Sequence, residues 1–391
     1  MKEIAQRAMI PRSATVGIEN RAAEMKRAGV DVISLAAGQP DFPTPQHIRE
    51  YAKKALDEGY TFYPPSPGLP ELREAISKKV ADENGIEADP KSEIIVTVGG
   101  KQGVFSTILA LVDQGDEVII TDPSWVTYEP CARLAGGKIV SVPVHEKNQF
   151  RLNKDDVARA LTPRTKLIVV NSPNNPTGSV LTQDDLRDIA DLACAKDLFV
   201  LSDEIYEYLV YDGLKHHSIA SIPGMKERTI TANGFSKAYS MTGWRLGYIV
   251  GPKDIMQHIL AIHEHSVTGP SSFSQRAAAQ GMNDPRSKES IRSMVAEFER
   301  RRTVIVDELN KIEKVSCVRP NGAFYAFSNI SALGKGSMDV ASHLLEKGLV
   351  ATVPGAAFGP RGEGFLRLSF ANSTENIVKA LERMRTALGE L

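Results

Sequence analysis

Apolar and polar positions alternate along this chain in two rhythms. Near the N-terminus Ile18, Ala22 and Met25 recur at helical spacing and stop at Gly29, so a helix ends there. A short strand at 32–35 runs into a loop at 36–43 marked by Gly38, Pro40 and Pro43. Thr44-Pro45 announces a helix that ends near Gly59, and a second proline-rich loop, 60–68, precedes a helix over 69–84. An α/β rhythm then begins. Strands are predicted at 93–98, 117–121, 166–170, 198–201, 228–232 and 248–250. Gly99-Gly100 reads as a turn leading to a helix over 101–112, and 184–196 is a helix with Leu186, Ile189, Leu192 and Ala193 on one face. Continuous apolar strands separated by helices imply a largely parallel sheet covered on both faces.

Beyond about residue 285 the pattern changes. A long charged helix is predicted over 285–312, strands at 316–318, 324–327 and 365–369, a helix at 339–346 and a last helix from Glu375. This reads as a smaller α/β layer.

The length, 391 residues, fits about two to three domains. Lys+Arg 47 against Asp+Glu 48 leaves a net charge of -1, which gives no footprint for a nucleic-acid partner. No apolar run reaches the ~18 residues of a membrane span, and residues 1–7 lack a signal-peptide core. Cys131, Cys194 and Cys317 are far apart, with no metal-ligand spacing, and read as reduced thiols of a cytoplasmic protein.

The chemistry concentrates at predicted strand ends. Gly100, Asp122, Asn171, Asp203 and Lys237 each lie at or just past one, where open α/β sheets bind ligands. The stretch 233–247 carries Lys237, Arg245 and the hydroxyls of Ser236, Ser240 and Thr242 between glycines. A lysine amine there can form a Schiff base if burial or a neighbouring cation lowers its pKa, and an arginine fork suits a phosphate. The alternative is a solvated lysine and a structural arginine. Asp203 ends a buried strand and needs a partner, or caps the next turn. Arg367 on an apolar strand needs an anion, unless it sits on a solvated face.

Ser236-Lys237-Ala238-Tyr239 with Gly243-Trp244-Arg245-Leu246-Gly247, and Asn175-Pro176-Thr177-Gly178, resemble the motifs of class I aminotransferases, pyridoxal-phosphate enzymes of fold type I. The resemblance runs from about residue 34 to 370. It implies a large domain, 46–285, with a mostly parallel seven-stranded sheet flanked by helices, and a discontinuous small α/β domain, 1–45 with 286–391. It implies that pyridoxal 5'-phosphate is carried by Lys237 as an aldimine. Gly100, Lys101, Gln102, Ser236 and Arg245 would hold its phosphate, Asp203 its pyridine nitrogen, and Tyr206 with Asn175 its ring oxygen. Trp125 would lie on the ring. Arg367, Gly38 and Asn175 would bind the substrate α-carboxylate. Tyr63 would reach the phosphate of a neighbouring subunit, which implies a homodimer with shared sites.

Lys101, with Arg12, Ser13 and Thr15 closing over it, favours a distal carboxylate on the substrate; the alternative is that Lys101 simply adds charge beside the phosphate. The expected reaction is therefore ping-pong transfer between aspartate or glutamate and 2-oxoglutarate or oxaloacetate. Aromatic amino acids or prephenate are alternatives, as is a lyase on the same fold. A non-enzymatic sensor domain ranks last, since it would need a basic DNA-binding extension.

Overall fold

The computed structural model describes residues 4–12 and 14–391. A short strand β1 (Ile33–Ser34) precedes the main sheet strands β2 (Ile94–Thr97), β3 (Glu117–Asp122), β4 (Lys138–Pro143), β5 (Thr165–Asn171), β6 (Phe199–Asp203), β7 (Thr229–Gly234) and β8 (Gly247–Val250). These seven form one sheet in the order β2-β8-β7-β6-β5-β3-β4. Only β8 runs antiparallel to its neighbours.

Both faces of the sheet are buried, which is why its strands read as unbroken apolar runs. On one face Ile120, Leu167, Val169, Leu201, Ile230 and Ile249 pack with Val104 and Ile108 of the helix Gly99–Leu111. On the other, Ile119, Ile168, Val170 and Val200 pack with Leu186, Ile189 and Ala193 of the helix Gln183–Ala195. The carboxyl ends of β3, β5, β6 and β7 share one edge, and Gly247 at the start of β8 pairs with Thr97 and Gly234 there.

The second layer comprises β9 (Ser316–Cys317), β10 (Tyr325–Asn329), β11 (Val350–Ala351), β12 (Val353–Pro354) and β13 (Phe365–Ser369). Four of them form an antiparallel sheet, β12-β13-β10-β9, while β11 pairs in parallel with β1. Phe298, Ile305 and Leu309 of the helix Pro285–Leu309 join Tyr325, Leu366, Leu368, Leu381 and Met384 in its core. The β1–β11 pairing ties residues 33–34 to this C-terminal layer.

Some boundaries differ from expectation for identifiable reasons. Gly99 and Gly100 are the first helical residues rather than a separate turn. The helix after Pro45 starts at Gln46 with no side-chain cap. Thr44 instead donates its hydroxyl to Ser240 O (2.7 Å) and accepts from Trp244 Nε1 (3.0 Å), which fastens it to the central loop. The edge strand β4 and the helices Tyr128–Leu134, Lys154–Ala160, Lys253–Ser266 and Ser272–Asn283 have no counterpart among the predicted elements. No helix among the described residues is long and apolar enough to cross a membrane.

Candidate active site

A cavity of about 430 Å³ opens at the shared strand edge and is lined from both layers. One end is built for an anion. The helix Gly99–Leu111 starts there, so its first backbone N–H groups lack helical acceptors and its dipole favours negative charge. Two glycines make the approach possible. A Cβ on Gly247 would lie 2.5 Å from Gly100 N, and one on Gly99, whose φ is +72°, 2.7 Å from Arg245 Nη2. Arg245 occupies the left-handed region (φ 55°) and donates Nη1–H to Thr242 O at 2.8 Å. No carboxylate among the described residues pairs with it. Ser236 is buried beside it, and Thr242 also lines the cavity. Ser240 turns away, its hydroxyl against Met294 Sδ.

The middle holds Lys237 and Asp203. Burial, reinforced by the Arg367 and Arg245 charges, pushes the Lys237 amine from 10.5 down to about 8, against a smaller opposing effect of Glu19 and Asp203. Its Nζ donates to the Gly38 carbonyl. Burial drives the Asp203 carboxyl up to about 6, although two hydrogen bonds favour its charged form. One comes from the Tyr128 hydroxyl (2.7 Å) and the other from Ile205 N (3.3 Å). Asp203 therefore has both its buried partner and its turn-capping bond. Asn171 fixes the surroundings: its Nδ2 donates to Asp203 O and its Oδ1 accepts from Asn175 N, both at 3.0 Å. The Tyr206 and Tyr325 hydroxyls share a hydrogen bond of 2.8 Å, and burial holds both phenols neutral.

The far end holds a buried cation. Arg367 is only 3% exposed. Its guanidinium donates to Asn175 Oδ1 (3.0 Å) and Ala36 O (2.7 Å), while Nε finds no partner among the described residues. Such a charge, stacked on Tyr325 and Phe358, calls for an anionic ligand.

The cavity thus gathers Gly38, Gly100, Lys101, Trp125, Asn175, Asp203, Tyr206, Ser236, Lys237, Arg245, Arg367 and Thr15. Others lie apart. Gln102 and Arg12 line a neighbouring cavity that shares Lys101, Trp125 and Arg245 with the first. The Gln102 side chain is engaged with Val98 N and Ser106 Oγ, so toward the anion seat it offers only backbone. Tyr63 is 90% exposed on the surface. Ser13 lies outside the described residues. Three residues not picked out in the sequence complete the site: Tyr128, Tyr325 and Glu19. Tyr128 follows Trp125 at helical spacing and packs edge-on against it, with ring centroids 5.2 Å apart.

Comparison with known proteins agrees with this geometry. The family model for aminotransferases of class I and II matches residues 30–384. An aspartate aminotransferase of Pyrococcus abyssi is 49% identical over 360 residues, 92% of each chain. The aromatic-amino-acid aminotransferase 2 of Thermococcus litoralis is 46% identical over 359 residues, again 92% of each. The solved structure of Thermus thermophilus aspartate aminotransferase with maleate superimposes with a TM-score of 0.95 at 42% identity, covering 99% of this chain and 100% of that one. The chain belongs to the class I pyridoxal-phosphate-dependent aminotransferases, and within them to the aspartate aminotransferase type.

Proposed function

We propose that this aminotransferase moves the amino group between aspartate or glutamate and 2-oxoglutarate or oxaloacetate in a ping-pong cycle, using pyridoxal 5'-phosphate. The observation that carries the reading is one cavity holding a lysine amine depressed to about 8, a buried carboxyl and a buried arginine with no carboxylate partner among the described residues. The cofactor fits the residues present. The glycine cradle at 99–100, Ser236 and Arg245 suit its phosphate, and the buried Asp203 suits a protonated ring nitrogen. When bound, it supplies an electron sink that makes the substrate Cα–H acidic.

This chain's own residues do the rest. Tyr128 donates to Asp203 and holds it as the carboxylate that the ring nitrogen requires. With its Oδ1 taken by Arg367, Asn175 would offer Nδ2 to the ring oxygen, alongside the Tyr206 hydroxyl. Trp125 would cover one ring face. Arg367 and the Gly38 N–H would bind the α-carboxylate, and the Lys237 amine would take the proton from Cα and hold it for return. The large unit is 46–285, and the small one joins 1–45 to 286–391, as the β1–β11 pairing supports. Two copies share their sites through the exposed Tyr63. The three unpaired thiols support a cytoplasmic enzyme.

With Arg245 at the phosphate seat and Arg367 at the α-carboxylate, Lys101 is a further cation around the cavity, which favours a substrate with a second carboxylate. Thr15, which lines this cavity, and Arg12, which lines the neighbouring one that shares Lys101, would join it in this reading. The neighbouring cavity, about 730 Å³ and lined by Ile10, Phe105, Ile120, Leu134 and Phe358, supports a second reading in which aromatic amino acids or prephenate also enter. Relatives named for aromatic amino acids and for prephenate point the same way. Lys101→Ala should raise KM for aspartate at least about tenfold more than for phenylalanine, a loss of one charged pairing. Equal effects on both would remove the distal-carboxylate assignment.

A further inference from the structure

Gly38 is the peptide on which the site turns. Its carbonyl accepts from Lys237 Nζ. Its N–H, the donor assigned above to the substrate α-carboxylate, already donates to a carboxylate of this chain: Glu19 Oε1 lies 3.1 Å away. Glu19 projects from the helix Ala14–Arg27 and lines the cavity with Lys237, Tyr325 and Arg367. It forms no ion pair of its own within 4 Å among the described residues. The donor is therefore filled by a carboxylate 19 positions upstream, beside a buried arginine that has none.

We propose that Glu19 is a built-in competitor for the α-carboxylate subsite, displaced from Gly38 whenever an amino acid or keto acid binds. The inference rests on the assignment of Arg367 and Gly38 to that carboxylate. One N–H cannot serve two carboxylates at full strength, and two like charges brought to one donor repel. Substrate entry thus requires Glu19 to swing away, alone or with its helix. The exchange also bears on the amine. Glu19 opposes the Arg367 and Arg245 charges at Lys237, and the incoming carboxylate, bound at the same donor, takes over that role.

The test is calorimetric binding of two unreactive acids, maleate and 3-phenylpropionate, to the holoenzyme of the native chain, Glu19→Gln, Glu19→Ala and Arg367→Leu. Glu19→Ala should bind both acids about tenfold tighter, which is ~1.4 kcal/mol. Glu19→Gln, which keeps an acceptor but loses the charge, should fall between it and the native chain. The pH at which the visible cofactor band titrates should move down in both. A purely structural Glu19 would give weaker binding and an unmoved titration. If Arg367→Leu abolishes binding while neither Glu19 variant tightens it, the competitor role is overturned and the subsite assignment survives. If Arg367→Leu binds as well as the native chain, the subsite assignment fails and the competitor role with it.

Discussion

Lys237→Met should stabilise the cofactor-free protein, and the gain should vanish in alkali. The Lys237 amine titrates near 8 in the folded chain against 10.5 for an ordinary lysine. Below about pH 8 the folded state therefore holds a charge that burial and two arginines disfavour. At ~1.4 kcal/mol per pH unit, the gap corresponds to about 3 kcal/mol. Methionine fills similar volume without the charge but loses the hydrogen bond to Gly38 O, worth about 1 kcal/mol. A net gain of about 2 kcal/mol remains at pH 7.5. Between about pH 8 and 10.5 the folded native chain binds fewer protons than the unfolded one, so its stability rises with pH relative to the variant. Starting at pH 7.5 keeps Asp203, which titrates near 6, ionised in the native chain. Thermal unfolding of both proteins at pH 7.5, 8.5, 9.5 and 10.5 measures the gap, and groups common to both largely cancel in the difference. A Tm higher in the variant by about 2–4 °C at pH 7.5, and shrinking with pH, is expected. A native chain that is more stable at pH 7.5, or a gap constant across the range, would refute the claim that the surroundings of Lys237 disfavour its charge.

Two further outcomes follow from named contacts. Tyr128→Phe removes the hydroxyl that favours the Asp203 carboxylate; the acid limb of the kcat/KM profile should move up by about one pH unit, and an unmoved limb would separate Tyr128 from Asp203 function. Gly247→Ala drives a Cβ against Gly100 N and the Gly99 carbonyl carbon; pyridoxal-phosphate affinity by equilibrium dialysis should fall at least about tenfold, while unchanged affinity would place the phosphate elsewhere.

The main sheet was legible because its inner strands are buried on both faces, which leaves short Ile, Val and Leu runs such as 94–96, 118–120 and 167–170. β4 escaped because it is an edge strand with Lys138 and Ser141 exposed. The helix Ser272–Asn283 escaped because it is built of small residues: Gly281 lets it press on Ile48 of the helix Gln46–Asp57, so tertiary packing rather than periodicity defines it. In the site, most residues singled out from local motifs line one cavity. Tyr128, Tyr325 and Glu19 act across the fold, on Asp203, Tyr206 and Gly38 respectively. On its own element each looks ordinary, and Glu19 reads as one more solvated carboxylate. Only the folded chain brings residue 19 to residue 38 at the mouth of the cavity.

The central claim, that Lys237 works with pyridoxal 5'-phosphate to exchange amino groups on acidic substrates, is tested by one absorbance titration of the purified holoenzyme. A visible cofactor band should convert to a shorter-wavelength band on adding aspartate and return on adding 2-oxoglutarate, with turnover lost in Lys237→Ala. A visible band that ignores aspartate and glutamate but responds to another amino acid would contradict the substrate assignment, and the absence of any cofactor band would contradict the site itself.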